Sequence, residues 1–146
     1  MTQLSPNFTL EELTRSDLAS RKGWDNSPNA QEIDNLKRLA AFLERVREVL
    51  GNKIVTVNSG YRAKVLNDAL GSKDTSQHRF GCAADIRVSG MSPDEVCRKI
   101  IAAGLDYDQI IREFDSWTHI SVPTYEISGP RKQALIIDRT GTRPFK

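Results

Sequence analysis

Only two histidines occur in the chain, His78 and His119, so any chemistry that needs imidazole must use one or both. His78 closes a polar, irregular stretch, Asp85 follows in a short run of small and apolar residues, and His119 lies in a later run rich in β-branched residues. A catalytic zinc takes three protein ligands and keeps one position open, and histidine with a carboxylate is an accepted set. With two histidines available, the third ligand must be Asp, Glu or Cys. Asp85 is attractive because it sits in Cys82-Ala-Ala-Asp-Ile86, where a charge needs a partner or a metal. Spacing alone favours the plainer reading, a strand-end ion pair beside two unrelated histidines. Zinc lowers the pKa of water to about 7, yet a carboxylate must still take the proton during attack. Glu113, just before an expected turn, can reach back toward a metal held by the partner strand. Asp115 is the alternative base, and both could instead be solvated turn carboxylates.

Two other chemistries compete. Cys82 and His119 could form a thiol nucleophile and its base. Cys82 enters a strand of small residues, however, and free cysteine is among the most buried residue types. Cys82 and Cys97 are therefore expected to be free, structural thiols, too few for a disulfide framework. Ser76 lies close to His78 but has no nucleophile-elbow pattern around it.

The elements that must position these groups can be read from starts and periods. The chain has 146 residues, one domain by length, with 38% hydrophobic and 27% charged residues, as in a soluble globular protein. No apolar run approaches the roughly 18 residues of a membrane span. The opening Met1-Thr-Gln-Leu-Ser-Pro-Asn-Phe8 lacks a basic patch followed by an apolar stretch, so no signal peptide is expected. A net charge of +2 gives no argument for nucleic acid. Thr9-Leu-Glu-Glu12 is a capping box, with Phe8 and Leu13 placed as a hydrophobic staple, and predicts a helix to about Ser20. Asn29-Ala-Gln-Glu32 opens a longer one whose Ile33, Leu36, Ala40, Leu43, Val46 and Leu50 share a face, with Gly51 at its exit. Ser92-Pro-Asp-Glu95 starts a third, with Val96, Ile100 and Ile101 on its apolar side and Gly104 at its end. Strands are expected over 53–57, 82–88, 108–114, 117–122 and 134–138, with Asp115-Ser116 turning a tight hairpin. Residues 58–81 carry few periodic signals, and a long irregular stretch in a compact domain is usually functional. Helices first and strands mostly in sequence suggest α+β with an antiparallel sheet.

Taken in order, Ser59-Gly-Tyr-Arg62, Asn67, Gly71, Ser76-x-His78-x-x-Gly81-x-Ala83-x-Asp85 and Trp117-x-His119-x-Ser121 resemble the zinc D-Ala-D-Ala carboxypeptidases. These are peptidoglycan peptidases of bacteria and phages, and they share a metal-centred fold with the Hedgehog signalling domain. The motifs span residues 53–122, and the opening Asn7–Ser16 looks like phage-borne members. The resemblance implies Zn2+ held by His78, Asp85 and His119. It implies Arg62 on the scissile carbonyl oxygen or a substrate carboxylate, a task suited to an always-charged fork of donors. Ser76 would contact the substrate backbone, while Tyr61 and Trp117 would pack beneath the site. Many relatives place the catalytic carboxylate three residues before the last histidine. That position here is Ser116, which cannot act as a base, whereas the Hedgehog-like arrangement has a Glu where Glu113 stands.

The implied protein is a single α+β domain over 1–146, with helices packed on a small antiparallel sheet that carries the zinc. It would hydrolyse peptide bonds in peptidoglycan stem peptides or cross-links, as a phage endolysin or a D,D-carboxypeptidase. The alternative is a non-catalytic, zinc-stabilised module that binds cell-wall peptides within a phage structural component. In either case the expected partner is peptidoglycan peptide, with no nucleic acid, no membrane insertion and a monomeric state. The protein would be made in the cytoplasm and act on the wall if exported or released.

Overall fold

Local sequence signals and the sheet they serve are laid out in a computed structural model that describes residues 2–124 and 129–146. In chain order the elements are β1 (Gln3–Ser5), β2 (Phe8–Thr9), α1 (Leu10–Thr14), α2 (Asp17–Lys22), α3 (Ala30–Val49), β3 (Val55–Ser59), α4 (Lys64–Ala69), a 3-10 turn (Gln77–Phe80), β4 (Ala83–Val88), α5 (Pro93–Ala102), β5 (Gln109–Glu113), β6 (Trp117–Ser121), β7 (Gln133–Asp138) and β8 (Gly141–Pro144).

The three expected helix starts form, and each of them, not only Thr9–Glu12, is a capping box. In α3 the Asn29 side chain accepts from Glu32 N at 2.8 Å and Glu32 returns the bond to Asn29 N at 2.9 Å. Leu36, Leu39, Ala40, Leu43 and Val46 are fully buried along its inner face. The first helix departs from expectation: it stops at Thr14, and Arg15 is extended. Ser16 then opens α2, accepting from Ala19 N at 3.1 Å. A serine followed by an acidic first turn is a stronger start signal than a continuation signal, so one expected helix becomes two short ones. None of the helices among the described residues is long and apolar enough to cross a membrane.

The main sheet runs β3-β4-β6-β5-β7-β8. It is antiparallel except for β5 and β7, which pair in parallel. The expected α+β fold with an antiparallel sheet is thus present, with one parallel pair added to it. Side chains alternate between faces along a strand and directly opposed residues share a face. Ala84, Ile86, Ile110 and Ile120 are fully buried on one face and join the core formed with α3 and α5. Asp85 pairs with His119, which in turn pairs with Ile111, so the opposite face carries the titratable groups. An irregularity between Val57 and Ser59 in β3 sets Ser59 across from Asp85 and leaves Val57 across from Ile86.

The stretch expected to be irregular, 58–81, contains α4 and the 3-10 turn. A six-residue helix without a side-chain cap is too short to show a period. Asn67, fully buried, ties the end of α4 to the following loop by donating to Lys73 O at 2.9 Å. The whole segment is pinned at Gly60. Tyr61 N donates to Leu13 O at 2.8 Å, and a Cβ at Gly60 would overlap that same carbonyl.

Gly60→Ala must therefore push α1 away from the loop that follows β3. Overpacking of this kind typically costs about 1–3 kcal/mol. Urea denaturation should show a lower midpoint with an unchanged slope, and a midpoint equal to wild type would contradict the close approach.

Candidate metal centre

Three separate elements deliver three donor side chains to one spot. β4 presents Asp85, β6 presents His119 directly across from it, and the 3-10 turn brings His78 over the sheet. All three are buried, and one ligand atom from each lies within 4.8 Å of the others. Asp85 Oδ1 is 3.3 Å from His78 Nε2 and 3.1 Å from His119 Nδ1. The two imidazoles meet edge-on, with centroids 5.1 Å apart and planes 63° from parallel.

The chemistry of this donor set fits a metal ion. His78 Nδ1 lies 2.7 Å from the carbonyl oxygen of Gly60, an acceptor, so that nitrogen carries the proton. Neutral imidazole then leaves a lone pair on Nε2, which faces the Asp85 oxygen. Two acceptors in contact need a proton or a cation between them. A tetrahedral zinc with N and O ligands at about 2.0–2.2 Å has ligand-to-ligand edges of about 3.3 Å, close to the two separations observed. A histidine oriented through its second nitrogen by a backbone carbonyl is the usual support of a metal ligand.

The carboxyl of Asp85 is governed by opposing effects. Burial favours its neutral form, but His78 and His119 outweigh burial and hold it well below the usual carboxylate range. Its second oxygen, Oδ2, accepts from Arg62 Nη2 at 3.3 Å. Arg62 is itself held in place. Its Nε donates to Ser59 Oγ at 3.1 Å, its Nη1 to Ser72 Oγ at 3.3 Å, and its backbone N to His78 O at 2.9 Å.

Glu113 ends β5 opposite Trp117 and shares the face of His119. It is outside the three-donor cluster but close enough to feel it. Burial and Asp85 raise its carboxyl above the ordinary range, with His119, Arg62 and Trp117 pulling the other way. Asp115 stands differently. Phe114 and Asp115 both take left-handed backbone, with φ of 53° and 51°, which turns the hairpin. Asp115 pairs with Arg112 Nε at 3.0 Å, and Arg112 also holds Asp94 of α5 at 2.9 Å. The structure thus aims Asp115 toward the helix-covered side, away from the cluster. Ser116 contributes backbone groups to the turn, its N donating to Glu113 O at 2.9 Å.

The remaining candidates divide. Ser76 is half-buried just ahead of the 3-10 turn, with its hydroxyl unused as a cap. Tyr61 is a core residue. Its OH donates to Glu32 at 3.0 Å, and burial with that neighbour pushes the phenol up to about 12. Trp117 borders a cleft of about 430 Å³ beside the cluster, together with Arg62, Asp85, Arg15, Arg87 and Leu66. Cys82 and Cys97 are free and fully buried, and burial pushes their thiols up to about 11 and 12. Neither is a competent nucleophile at neutral pH. Sequence reasoning missed Ser72, which carries no signal, and the Gly60 carbonyl, which as a backbone group has no residue type to read. It also passed over Arg15 and Arg87.

The chain is similar in sequence to known proteins. A family model described as Peptidase M15 matches residues 6–121, a range that ends on the last residue of β6. A zinc D-Ala-D-Ala carboxypeptidase of Streptomyces albus G is 34% identical over 82 residues, covering 55% of this chain and 31% of the relative. The chain therefore matches only about a third of that relative's length.

Two measurements test the centre. Elemental analysis should find about one zinc per chain in wild type and close to none in His119→Ala. Full zinc in a folded His119→Ala would remove His119 from the ligand set. Chelation should also lower the melting temperature, because the ion would tie the 3-10 turn to two strands and bind only the folded state. An unchanged melting curve after verified metal loss would count against a site that bridges these elements.

Proposed function

The chain belongs to the peptidase M15 family, and on that premise we propose that it is a zinc-dependent peptidase that hydrolyses peptide bonds in peptidoglycan stem peptides or cross-links. The observation that carries the reading is the buried His78–Asp85–His119 cluster at the edge of an open cleft, with a carboxylate on the same sheet face. The name of the Streptomyces relative supports the choice of zinc and of D-Ala-D-Ala peptides as substrate. In this reading His78 Nε2, Asp85 and His119 Nδ1 hold the ion. Zinc bound there supplies Lewis acidity toward a peptide carbonyl and makes water acidic enough to be a nucleophile near neutral pH.

Glu113 is the general base in this proposal. Its carboxyl is raised from the ordinary range, which brings it nearer the working pH of a group that must both take and return a proton. It would accept the proton of the attacking water and pass it to the leaving amine. Arg62 would stabilise the developing oxyanion. Of the five N–H donors of a guanidinium, its contacts to Ser59, Ser72 and Asp85 use three and leave two for substrate. Ser76 would meet the substrate backbone. Asp115 is the poorer base, because Arg112 already engages it on the other side of the hairpin. All these groups come from one chain, so a monomer suffices. A phage endolysin setting is supported by the resemblance of Asn7–Ser16 to phage-borne members, and cleavage at the cell wall outside the cytoplasm goes with it.

Incubation with purified peptidoglycan and with synthetic stem peptides ending in D-Ala-D-Ala, read by mass spectrometry, should release peptide fragments or D-alanine. Glu113→Gln keeps size and shape but removes the base. Turnover should fall by about 10²–10⁴-fold while zinc content and peptide affinity hold. Asp115→Asn should change turnover by less than about threefold, and the reverse pattern would move the base to Asp115. Binding of wall peptides without any cleavage by wild type would favour the non-catalytic binding module.

A further inference from the structure

The cleft beside the cluster carries more cationic groups than the proposed reaction uses. Arg15, Arg62 and Arg87 all line it, against the carboxylates of Asp17 and Asp85. Asp85 is engaged by two imidazoles and Arg62, and Arg62, held by Asp85 and two serines, is already assigned to the oxyanion with its two remaining donors. Among the described residues neither Arg15 nor Arg87 is paired with a carboxylate. Arg87 donates Nε to the Ser116 carbonyl at 2.8 Å, which fixes the plane of its guanidinium and leaves both terminal nitrogens without a carboxylate. Among the described residues the Arg15 side chain has no ion pair or hydrogen bond. Arg15 stands in the cleft because the chain breaks there: it is the extended residue between α1 and α2.

The position of Arg87 sets a distance. It lies two residues beyond Asp85 on β4 and on the same face, hence about 7 Å along the strand at about 3.3 Å per residue. An extended peptide advances by a similar amount per residue. A negative group on a ligand near Arg87 would therefore lie about two residues from the atom at the cluster, or at the tip of a neighbouring side chain. Leu66, Leu70 and Trp117 give the same cleft an apolar wall, which suits the aliphatic part of a peptide.

We infer that Arg15 and Arg87 form an anion subsite that selects peptides bearing a carboxylate a short distance from the bond to be cut. A fixed guanidinium matches a carboxylate with two parallel N–H donors. The identity of the ligand rests on the peptidase reading above, whereas the pair of arginines without carboxylate partners does not. The carboxylate has two possible sources, the α-carboxylate of a chain terminus or the side chain of an acidic residue within the peptide.

Four synthetic peptides separate these sources. One pair is acetyl-Lys-D-Ala-D-Ala as free acid and as C-terminal amide. The other is acetyl-Ala-D-Glu-Lys amide and its D-Gln counterpart. Binding to the zinc-loaded protein is measured by calorimetry, and for any peptide that turns over the same ratio is read from kcat/KM. In at least one pair the acid should be favoured about tenfold over its neutral partner, the scale of one charge-assisted hydrogen bond. The pair that discriminates identifies the source. Arg15→Gln combined with Arg87→Gln should bring that ratio within about twofold of unity, with zinc content and neutral-peptide binding unchanged. Arg87→Lys loses the Ser116 contact but keeps the charge, so it should retain most of the preference and guards against a purely structural effect. No preference in wild type, or a preference that survives the double variant, would overturn the subsite. Discrimination without any product would overturn the peptidase reading and leave the subsite standing, and product without discrimination would do the opposite.

Discussion

A carboxylate buried on the face of a β-sheet must be surrounded by positive or hydrogen-donating groups, and Asp85 is such a carboxylate. Leaving it alone would be costly, since a buried charge without a partner destabilises by several kcal/mol. Its partners come from three places far apart in sequence: His119 on the next strand, His78 on the 3-10 turn and Arg62 after β3. Each partner is itself restrained. The Gly60 carbonyl orients His78, and Ser59 and Ser72 orient Arg62. Meeting the needs of one side chain thus folds the whole 58–81 segment onto the sheet. The backbone bond from Arg62 N to His78 O closes this network on itself.

The sheet divides the labour between its faces. One face is dry and packs on α3 and α5, and stability resides there. The other carries Asp85, His119 and Glu113, which can be chosen for chemistry because the core does not depend on them. Register keeps the two apart. A one-residue slip between β4 and β6 would send His119 into the core and bring Ile120 or Thr118 to the site. The hairpin between β5 and β6 sharpens the separation. Its two left-handed residues break the alternation, so Glu113 stays on the cluster side while Asp115 swings to Arg112 and α5.

That break explains why Glu113 and Asp115 look equivalent in the sequence. Counting in twos carries parity through a strand but not through a turn. Long, periodic, well-capped elements such as α3 and α5 were legible because many residues report the same period. Scarce histidine and the apolar company of Asp85 made the His78, Asp85 and His119 trio a candidate, and only the ordered motif blocks around them made it legible. What stayed hidden has a common physical character. Ser16 ends one helix by beginning another, so competing local signals decide the outcome. The bulge that sets Ser59 across from Asp85 and the parallel pairing of β5 with β7 are non-local. The Gly60 carbonyl is backbone, and α4 is shorter than its own period requires. Arg15 and Arg87 look like ordinary surface charges until the fold places them along one cleft.

The two oxygens of Asp85 do different work, and this bears on how the proposed chemistry is coordinated. Oδ1 faces both imidazoles, and Oδ2 faces the guanidinium of Arg62. A single planar group therefore sets the separation between the place where a metal fits and the cation that would meet the oxyanion. If either oxygen lost its partner, the carboxylate could rotate and the other contact would loosen with it. Electrostatic preorganisation of this kind depends on donors being held before charge develops. Here the holding is done by a group that no substrate needs to touch. In the proposed reaction Asp85 would serve both as a metal ligand and as the spacer between the metal position and Arg62. The contacts that pin both of its oxygens are the physical condition for both roles.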